Sequence, residues 1–259
     1  MILDEIAAKT RVRIAQEKKK KPLEELKKEA LALGAETGFP FEQALQKERL
    51  SFICEVKKAS PSKGVIAEDF PYVEIAKAYE NAGADAISVL TEPFYFQGRD
   101  AFLREIVQEI SLPVIRKDFT VDAYMIYQAK VMGASAVLLI CAILTEKEIR
   151  EYLELAHSLG LSAIVEAHDE TEVLTALRCG ARIVGVNNRN LKDFVVDIGN
   201  SIRLRKLVPE SVIFVSESGM KTAEDIRALR ENGTNAVLIG ETLMRSENKK
   251  KRLEELRGK

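Results

Sequence analysis

Charged and amide side chains close a series of short apolar runs in this chain. Residues 50–57, LSFICEVK, end on Glu55 and Lys57. Runs at 114–118, 163–166, 183–187 and 213–217 repeat the pattern and bring in Lys117, Glu166, Asn187 and Glu217. Each run has the length of a buried strand. If the strands lie parallel in a closed barrel, those polar ends meet in one pocket at one rim. Carboxylates, amines and an amide in one pocket are the parts of an acid–base enzyme. Glu55 and Lys57 are two apart on one strand and share a face. A lysine at an inward rim must be solvated, paired or catalytic, because an isolated buried ammonium is costly. Pairing of Lys57 or Lys117 with Glu55 or Glu166 fits a structural or a catalytic role. Lys58, Lys63 and Arg116 read as surface charges.

Two further turns are rich in small residues: Ser216-Glu217-Ser218-Gly219 and Gly240-Glu241-Thr242. In many barrels the loops after strands seven and eight hold a phosphate on glycine N–H groups and a short helix N-terminus. Two such turns at the two expected strands point to a phosphate site rather than to ordinary connections.

The elements that must position these groups alternate without a break from residue 50. The sequence predicts strands at 52–57, 86–90, 114–117, 136–140, 163–166, 183–187, 212–215 and 236–239. They are rich in Val, Ile and Ala, as strands buried on both faces should be. Amphipathic helices are predicted at 73–82, 101–110, 123–132, 146–159, 170–178, 201–207, 223–231 and near 247–256. Glycine follows many of them and suits a left-handed helix close. Eight βα units predict an α/β fold, a (β/α)8 TIM barrel. No Gly-x-Gly-x-x-Gly follows the first strand, which argues against a dinucleotide fold.

Residues 1–49 read as an N-terminal helical extension. Ile2, Leu3, Ile6, Ala7, Val12 and Ile14 have imperfect helical spacing. Lys18 to Lys21 form a solvated helix end or turn. Pro22 can open a second helix, with Leu23, Leu26, Ala30 and Leu33 on one face and Gly34 as its stop. Phe39, Phe41 and Leu45 are expected to pack on the barrel over one of its mouths. The whole chain, 1–259, reads as one domain.

Bulk properties exclude several classes. The 259 residues carry a net charge of −1, so nothing suggests general attraction to nucleic acid. No apolar stretch has the length of a membrane span. The first residues lack a basic-then-apolar leader, so the cytoplasm is the default expectation. Cys54, Cys141 and Cys179 are far apart, with no Cys-x-x-Cys. Cys54 and Cys141 read as buried filler rather than metal ligands. His157 reads as a surface or packing residue, and His168 lies near the rim beside Glu166 without making a metal site.

These residues resemble the indole-3-glycerol-phosphate synthases of tryptophan biosynthesis. The matching motifs are residues 55–62 (EVKKASPS), Leu90-Thr91-Glu92 with Phe96-Gln97-Gly98, and Lys117-Asp118-Phe119. Val165-Glu166, residues 185–191 (GVNNRNL), Ser216-Glu217-Ser218-Gly219 and Leu238-Ile239-Gly240 complete them. The resemblance spans essentially the whole chain, and the first and fifth blocks are specific to this family among phosphate-binding barrels. It implies closure of the indole ring of 1-(2-carboxyphenylamino)-1-deoxyribulose 5-phosphate, with loss of carbon dioxide and water and no metal or organic cofactor. It implies Lys117 as the acid at the ketone oxygen, with Phe119 packed on the aromatic ring. Lys57 would contact the carboxylate or phosphate and serve dehydration. Glu166 would be the base or the electrostatic partner of the cationic intermediate. Glu55, Asn187 and Glu217 would orient sugar hydroxyls and move later protons. Ser60 and Arg189 would bind anions near the anthranilate end, with Leu191 among the substrate contacts. Ser218, Gly219, Gly240 and the backbone of Glu241 would hold the phosphate.

The implied partner is this phosphosugar–anthranilate substrate, with no nucleic acid and no membrane. Association with other tryptophan-pathway enzymes or as a homodimer stays open. Two rivals fit the same alternation. One is the isomerase acting a step earlier on phosphoribosylanthranilate, which needs a Cys/Asp pair. Cys54 is a poor candidate for it, because it should face away from Glu55. The other is a non-catalytic phosphate-binding barrel, which would not need so many titratable groups.

Overall fold

The computed structural model describes residues 2–190 and 194–259. The barrel strands are β1 Ser51–Val56, β2 Ala86–Leu90, β3 Val114–Lys117, β4 Ala136–Ile140, β5 Ser162–Ala167, β6 Ile183–Asn187, β7 Ile213–Glu217 and β8 Ala236–Ile239. Each pairs in parallel with its sequence neighbours, and β8 pairs with β1 to close the barrel. Strand residues alternate between two apolar layers, as a period of two requires. Ile53, Ile115, Leu138, Ile164, Ile183, Val215 and Leu238 fill the interior. Phe52, Cys54, Val56, Ile87, Val89 and Phe214 face the surrounding helices. The (β/α)8 barrel expected from the alternation is the observed fold.

The ring of helices is α4 Tyr72–Asn81, α5 Asp100–Glu109, α6 Ala123–Val131, α7 Glu146–Ser158, α8 Glu170–Arg178, α9 Gly199–Leu204, α10 Ala223–Glu231 and, after a short α11 at Glu241–Met244, α12 Lys249–Leu256. Local chemistry starts several of them. Thr145 and Glu148 form a reciprocal capping box on α7, and Thr222 and Asp225 do the same on α10. The predicted helix at 201–207 divides into α9 and a 3-10 turn at Arg205–Leu207. Strand β7 reaches Glu217, two residues past its predicted end. Strand β1 stops at Val56, so Lys57 lies just beyond it.

Three N-terminal helices precede the barrel, α1 Ile2–Lys20, α2 Leu23–Ala32 and α3 Pro40–Leu45; α2 packs on α6, and the other two reach opposite ends. Phe41 and Leu45 of α3 are fully buried in the inner apolar cluster. Ser51 at the start of β1 donates to the Ala44 carbonyl, which places α3 at the strand N-termini. Leu3 and Ile6 of α1 instead line the opening at the strand C-termini. The expected cover over one mouth is therefore two covers, one at each end.

Arg116 is not the surface charge expected of it. It is 2 % exposed. Its neighbours Ile115 and Lys117 point inward, so Arg116 must point outward into the layer under the helices. There it donates to Thr91 Oγ1, the Met125 carbonyl, Gln128 and Asp100. Asp118, also 2 % exposed, lies between Arg116 and Arg13 of α1. The Arg13 and Arg116 charges outweigh the cost of burial and hold the Asp118 carboxyl below its usual range.

Candidate active site

A cleft of about 1000 Å³ opens at the C-terminal ends of the strands. The pairing register sets the height of its polar groups. Asn187 is the register partner of Glu217, Leu90 of Lys117 and Ile140 of Glu166. Five of the six predicted catalytic groups therefore arise at strand ends, and Lys57 follows β1 directly.

Lys117 stands at the centre. Its ammonium lies 2.9 Å from Glu166 Oε2 and 2.8 Å from Glu217 Oε2. Lys57 pairs with Glu55 at 2.6 Å. Asn187 donates to Glu166 Oε1 at 3.3 Å and accepts from the Arg189 N–H at 3.0 Å. Arg189 also donates to the Phe194 carbonyl at 3.2 Å. That contact ties the guanidinium to the loop after β6 while Arg189 still lines the cleft. Phe119 is 7 % exposed, with its ring centre 6.2 Å from that of Phe96. These rings, with Leu3, Ile6, Leu138 and Ile140, make the apolar side of the cleft.

The loop after β1 holds a two-residue antiparallel ladder, Ala59–Ser60 with Gly64–Val65, that the sequence did not announce. It brings Ser60, 9 % exposed, to the wall of the cleft. After β7, which only β8 separates from β1 around the barrel, Ser218 (φ 70°) and Gly219 (φ 97°) make a left-handed turn. Gly240 follows β8 against the charged pair: a Cβ there would stand 2.4 Å from Glu55 Oε1 and 2.8 Å from Lys57 Nζ. Glu241 turns its carboxylate to Arg245 at 3.1 Å. Ser218, Gly219, Gly240 and Glu241 all line the cleft. Of the predicted site residues, Leu191 lies outside the described residues. The others are brought to this one opening.

Burial and neighbours push the charged groups apart. Burial works against the Lys117 ammonium, but the Glu166, Glu217 and Glu55 charges outweigh it and hold its pKa well above the ordinary lysine value. Burial also works against ionised Glu166. Lys117 and His168 overcome it and keep Glu166 far below the usual carboxylate range. Glu217 goes the other way. Burial, reinforced by the Glu166 and Glu55 charges, raises it to about 7 despite Lys117. Two carboxylates on one ammonium are thus split: Glu166 stays ionised while Glu217 can take and return a proton near neutrality.

His168 belongs to this site more closely than its sequence position suggested. Its Nε2 lies 3.4 Å from Glu166 Oε1, and its Nδ1 lies 3.0 Å from Glu172 Oε2. Burial disfavours the imidazolium, but these two glutamates raise His168 to about 10. Gly185, part of the 185–191 motif but given no role there, also shapes the site. Its absent Cβ leaves the space that Glu217 Oε1 occupies, 2.3 Å from where that Cβ would be. A glycine inside an otherwise β-branched strand was the available signal. Leu3 and Ile6 carried no such signal, because their place at the cleft depends on how α1 packs.

Among the described residues, no helix is long and apolar enough to cross a membrane. Solved structures share the fold at low identity. A 3-hexulose-6-phosphate synthase aligns with TM-score 0.63 and 15% identity, over 81% of this chain and 99% of its own. A tryptophan synthase alpha-subunit mutant from Pyrococcus furiosus aligns with TM-score 0.62 and 17% identity, over 81% and 98%. Sequence relatives are much nearer. An indole-3-glycerol phosphate synthase of Ruminiclostridium cellulolyticum is 58% identical over 258 residues, covering 100% of this chain and 99% of its own. One of Endomicrobium trichonymphae is 55% identical over 257 residues, covering 99% and 100%. The indole-3-glycerol phosphate synthase family model matches residues 3–256. The chain belongs to the indole-3-glycerol phosphate synthase family, the decarboxylating lyases of tryptophan biosynthesis.

Proposed function

We propose that this cleft closes the indole ring of 1-(2-carboxyphenylamino)-1-deoxyribulose 5-phosphate with Lys117 as the general acid. The observation that carries the assignment is the Lys117 ammonium held by both Glu166 and Glu217 beside the apolar Phe96–Phe119 wall. The ring carbon bearing the carboxylate attacks the ketone carbon while Lys117 passes a proton to the ketone oxygen. Loss of carbon dioxide restores the aromatic ring; the hydroxyl on the former ketone carbon then takes a proton and leaves as water while the adjacent nitrogen-bound carbon gives up a proton, which forms the indole double bond.

The split between the two carboxylates suits two different tasks. Ionised Glu166 stabilises the cationic intermediate electrostatically. Glu217 exchanges the proton that the later steps need. Lys117 must leave a carboxylate to reach the ketone, and protonation of Glu217 weakens that hold. Lys57, paired with Glu55 beside Gly240, meets an anionic group of the substrate and assists dehydration in this reading. Asn187 and Glu55 orient the sugar hydroxyls. Phe119 packs on the aromatic ring, Ser60 and Arg189 bind anions near the anthranilate end, and Leu191 is a further substrate contact. Ser218, Gly219, Gly240 and the Glu241 backbone form the phosphate seat.

The same reading makes residues 1–259 one domain with residues 1–49 as its packed extension. It places the chain in the cytoplasm. Association with other tryptophan-pathway enzymes or with a second copy is open to size-exclusion chromatography. The deciding experiment adds substrate to purified protein in chelator and follows indole fluorescence. Turnover in the wild type, lost in Lys117→Ala while substrate still binds, supports the assignment. Near-normal turnover of Lys117→Ala removes Lys117 as the acid.

A further inference from the structure

Asn187 ends β6 and Asn188 follows it, and only the first lines the cleft. Asn188, the second, is 3 % exposed and turns toward α9 and β7. Its Oδ1 accepts from the Ser201 N–H at 3.1 Å and from Ser201 Oγ at 2.7 Å. Its Nδ2 donates to Ser216 Oγ at 3.0 Å and to the Ser218 carbonyl at 2.9 Å. The partners fix which end of the amide is which: a backbone N–H can only donate and a carbonyl can only accept. All four hydrogen-bonding positions of the amide are therefore used. Its own backbone is tied as well, with the Asn188 N–H donating to the Glu217 carbonyl at 2.9 Å.

The Ser218 carbonyl held in this way belongs to a residue at φ 70°, a conformation non-glycine residues seldom adopt. Such a conformation persists only where its surroundings over-determine it. From the other side Val196 packs on Gly219, its Cγ1 only 2.4 Å from where a Cβ on that glycine would stand. We propose that Asn188 is a positioning residue for phosphate recognition: its side-chain amide locks the Ser218 carbonyl and so aims the Ser218-Gly219 turn into the cleft. This rests on the reading of that turn as part of the phosphate seat. Asn188 itself touches no reacting atom.

The test compares wild type with Asn188→Ala and Asn188→Asp, the second placing an oxygen against the Ser218 carbonyl. Each is assayed on the substrate and on the same compound without its phosphate, and titrated with inorganic phosphate. We expect KM for the phosphorylated substrate to rise about tenfold, as for loss of one buried hydrogen bond, with kcat nearly unchanged. Inorganic phosphate should weaken in parallel, and kcat/KM for the unphosphorylated compound should stay at the wild-type value. A lowered Tm with equal loss on both compounds would make the amide merely structural and overturn the proposal. A wild type that binds no phosphate and treats the two compounds alike would remove the phosphate seat itself, and the proposal with it. One measurement needs no variant. In the 15N-labelled wild type, inorganic phosphate should shift the Asn188 side-chain amide together with the Ser218 and Gly219 backbone amides. Shifts confined to the backbone amides would refute the coupling.

Discussion

The Lys117 ammonium lies 2.8 Å from Glu217, a residue 100 positions further along the chain. Three strands separate β3 from β7 in the barrel order, so the contact crosses the interior at the rim. Lys117 also holds Glu166. The two carboxylates face one cation from different surroundings. Glu166 has His168 on its far side, while Glu217 has the negative charges of Glu166 and Glu55 near it. That difference, more than their distance from Lys117, gives them different proton affinities.

Glu217→Gln should remove a titration near neutrality. Glutamine keeps the shape and an acceptor for Lys117 but cannot exchange a proton. The wild-type kcat profile should show an inflection near pH 7, from the Glu217 value of about 7, and the variant should lack it. A kcat loss of about a hundredfold is expected if Glu217 relays protons. The same group has a stability signature. Its folded pKa lies above the unfolded one, so its contribution is full below the ordinary carboxylate value and is lost as pH rises through 7. Urea midpoints measured from pH 4 to 8 should fall over that window in the wild type and less so in Glu217→Gln. Identical slopes would mean that Glu217 does not titrate there.

His168→Gln should move the acid limb of activity. The His168 cation helps keep Glu166 ionised. Removing it raises the Glu166 pKa, so activity that needs ionised Glu166 should disappear at a higher pH on the acid side. The linkage sign is that of a raised base. Stability from charged His168 is full below the ordinary histidine value and is lost as pH rises toward about 10. A kcat/KM profile with an unmoved acid limb would detach His168 from Glu166.

The barrel was legible because its strands are buried on both faces, which leaves uninterrupted Val, Ile and Ala between glycine and polar stops. Strands β2, β3, β4, β6 and β8 run from the first to the last residue expected of them. The rim residues were legible for a related reason: a polar side chain closing such a run has few places to go except the mouth. Arg116 was not legible. Alternation with Lys117 sends it outward, and an outward strand position in a barrel is normally apolar. The charge is tolerated because Asp118 and Asp100 meet it, and Asp118 is in turn shared with Arg13 from a helix more than a hundred residues earlier. The charged state of His168 was hidden likewise, since it needs Glu172 from the first turn of α8.

Arg13→Ala should unfold more easily and lose turnover. Asp118 accepts from Arg13 at 2.8 Å and from Thr91 at 2.6 Å through one oxygen, and from the Phe119 N–H at 2.8 Å through the other. It therefore sets the chain direction between Lys117 and Phe119. Without Arg13 a nearly enclosed carboxylate loses one of its two cations, at a cost of about 3 kcal/mol. Urea unfolding should report that loss, and kcat should fall because the Lys117–Phe119 segment is less well held. A variant with wild-type stability would show that Arg116 alone satisfies Asp118.

Gly240→Ala separates damage to the site from damage to the fold. The Gly240 φ of −112° is not left-handed, so the Gly240→Ala effect is read from what its side chain meets. Its methyl would meet Glu55 Oε1 and Lys57 Nζ, both at the ends of flexible side chains. These can move aside, but then the 2.6 Å pair between them no longer sits against the end of β8. Tm should change by only a few degrees, while kcat/KM falls about a hundredfold through displaced catalytic groups. Inorganic phosphate should bind more weakly too, because the methyl occupies the face where the backbone would approach it. A folded variant with wild-type kcat/KM would mean that neither the Glu55–Lys57 pair nor the close backbone approach at Gly240 matters to the reaction.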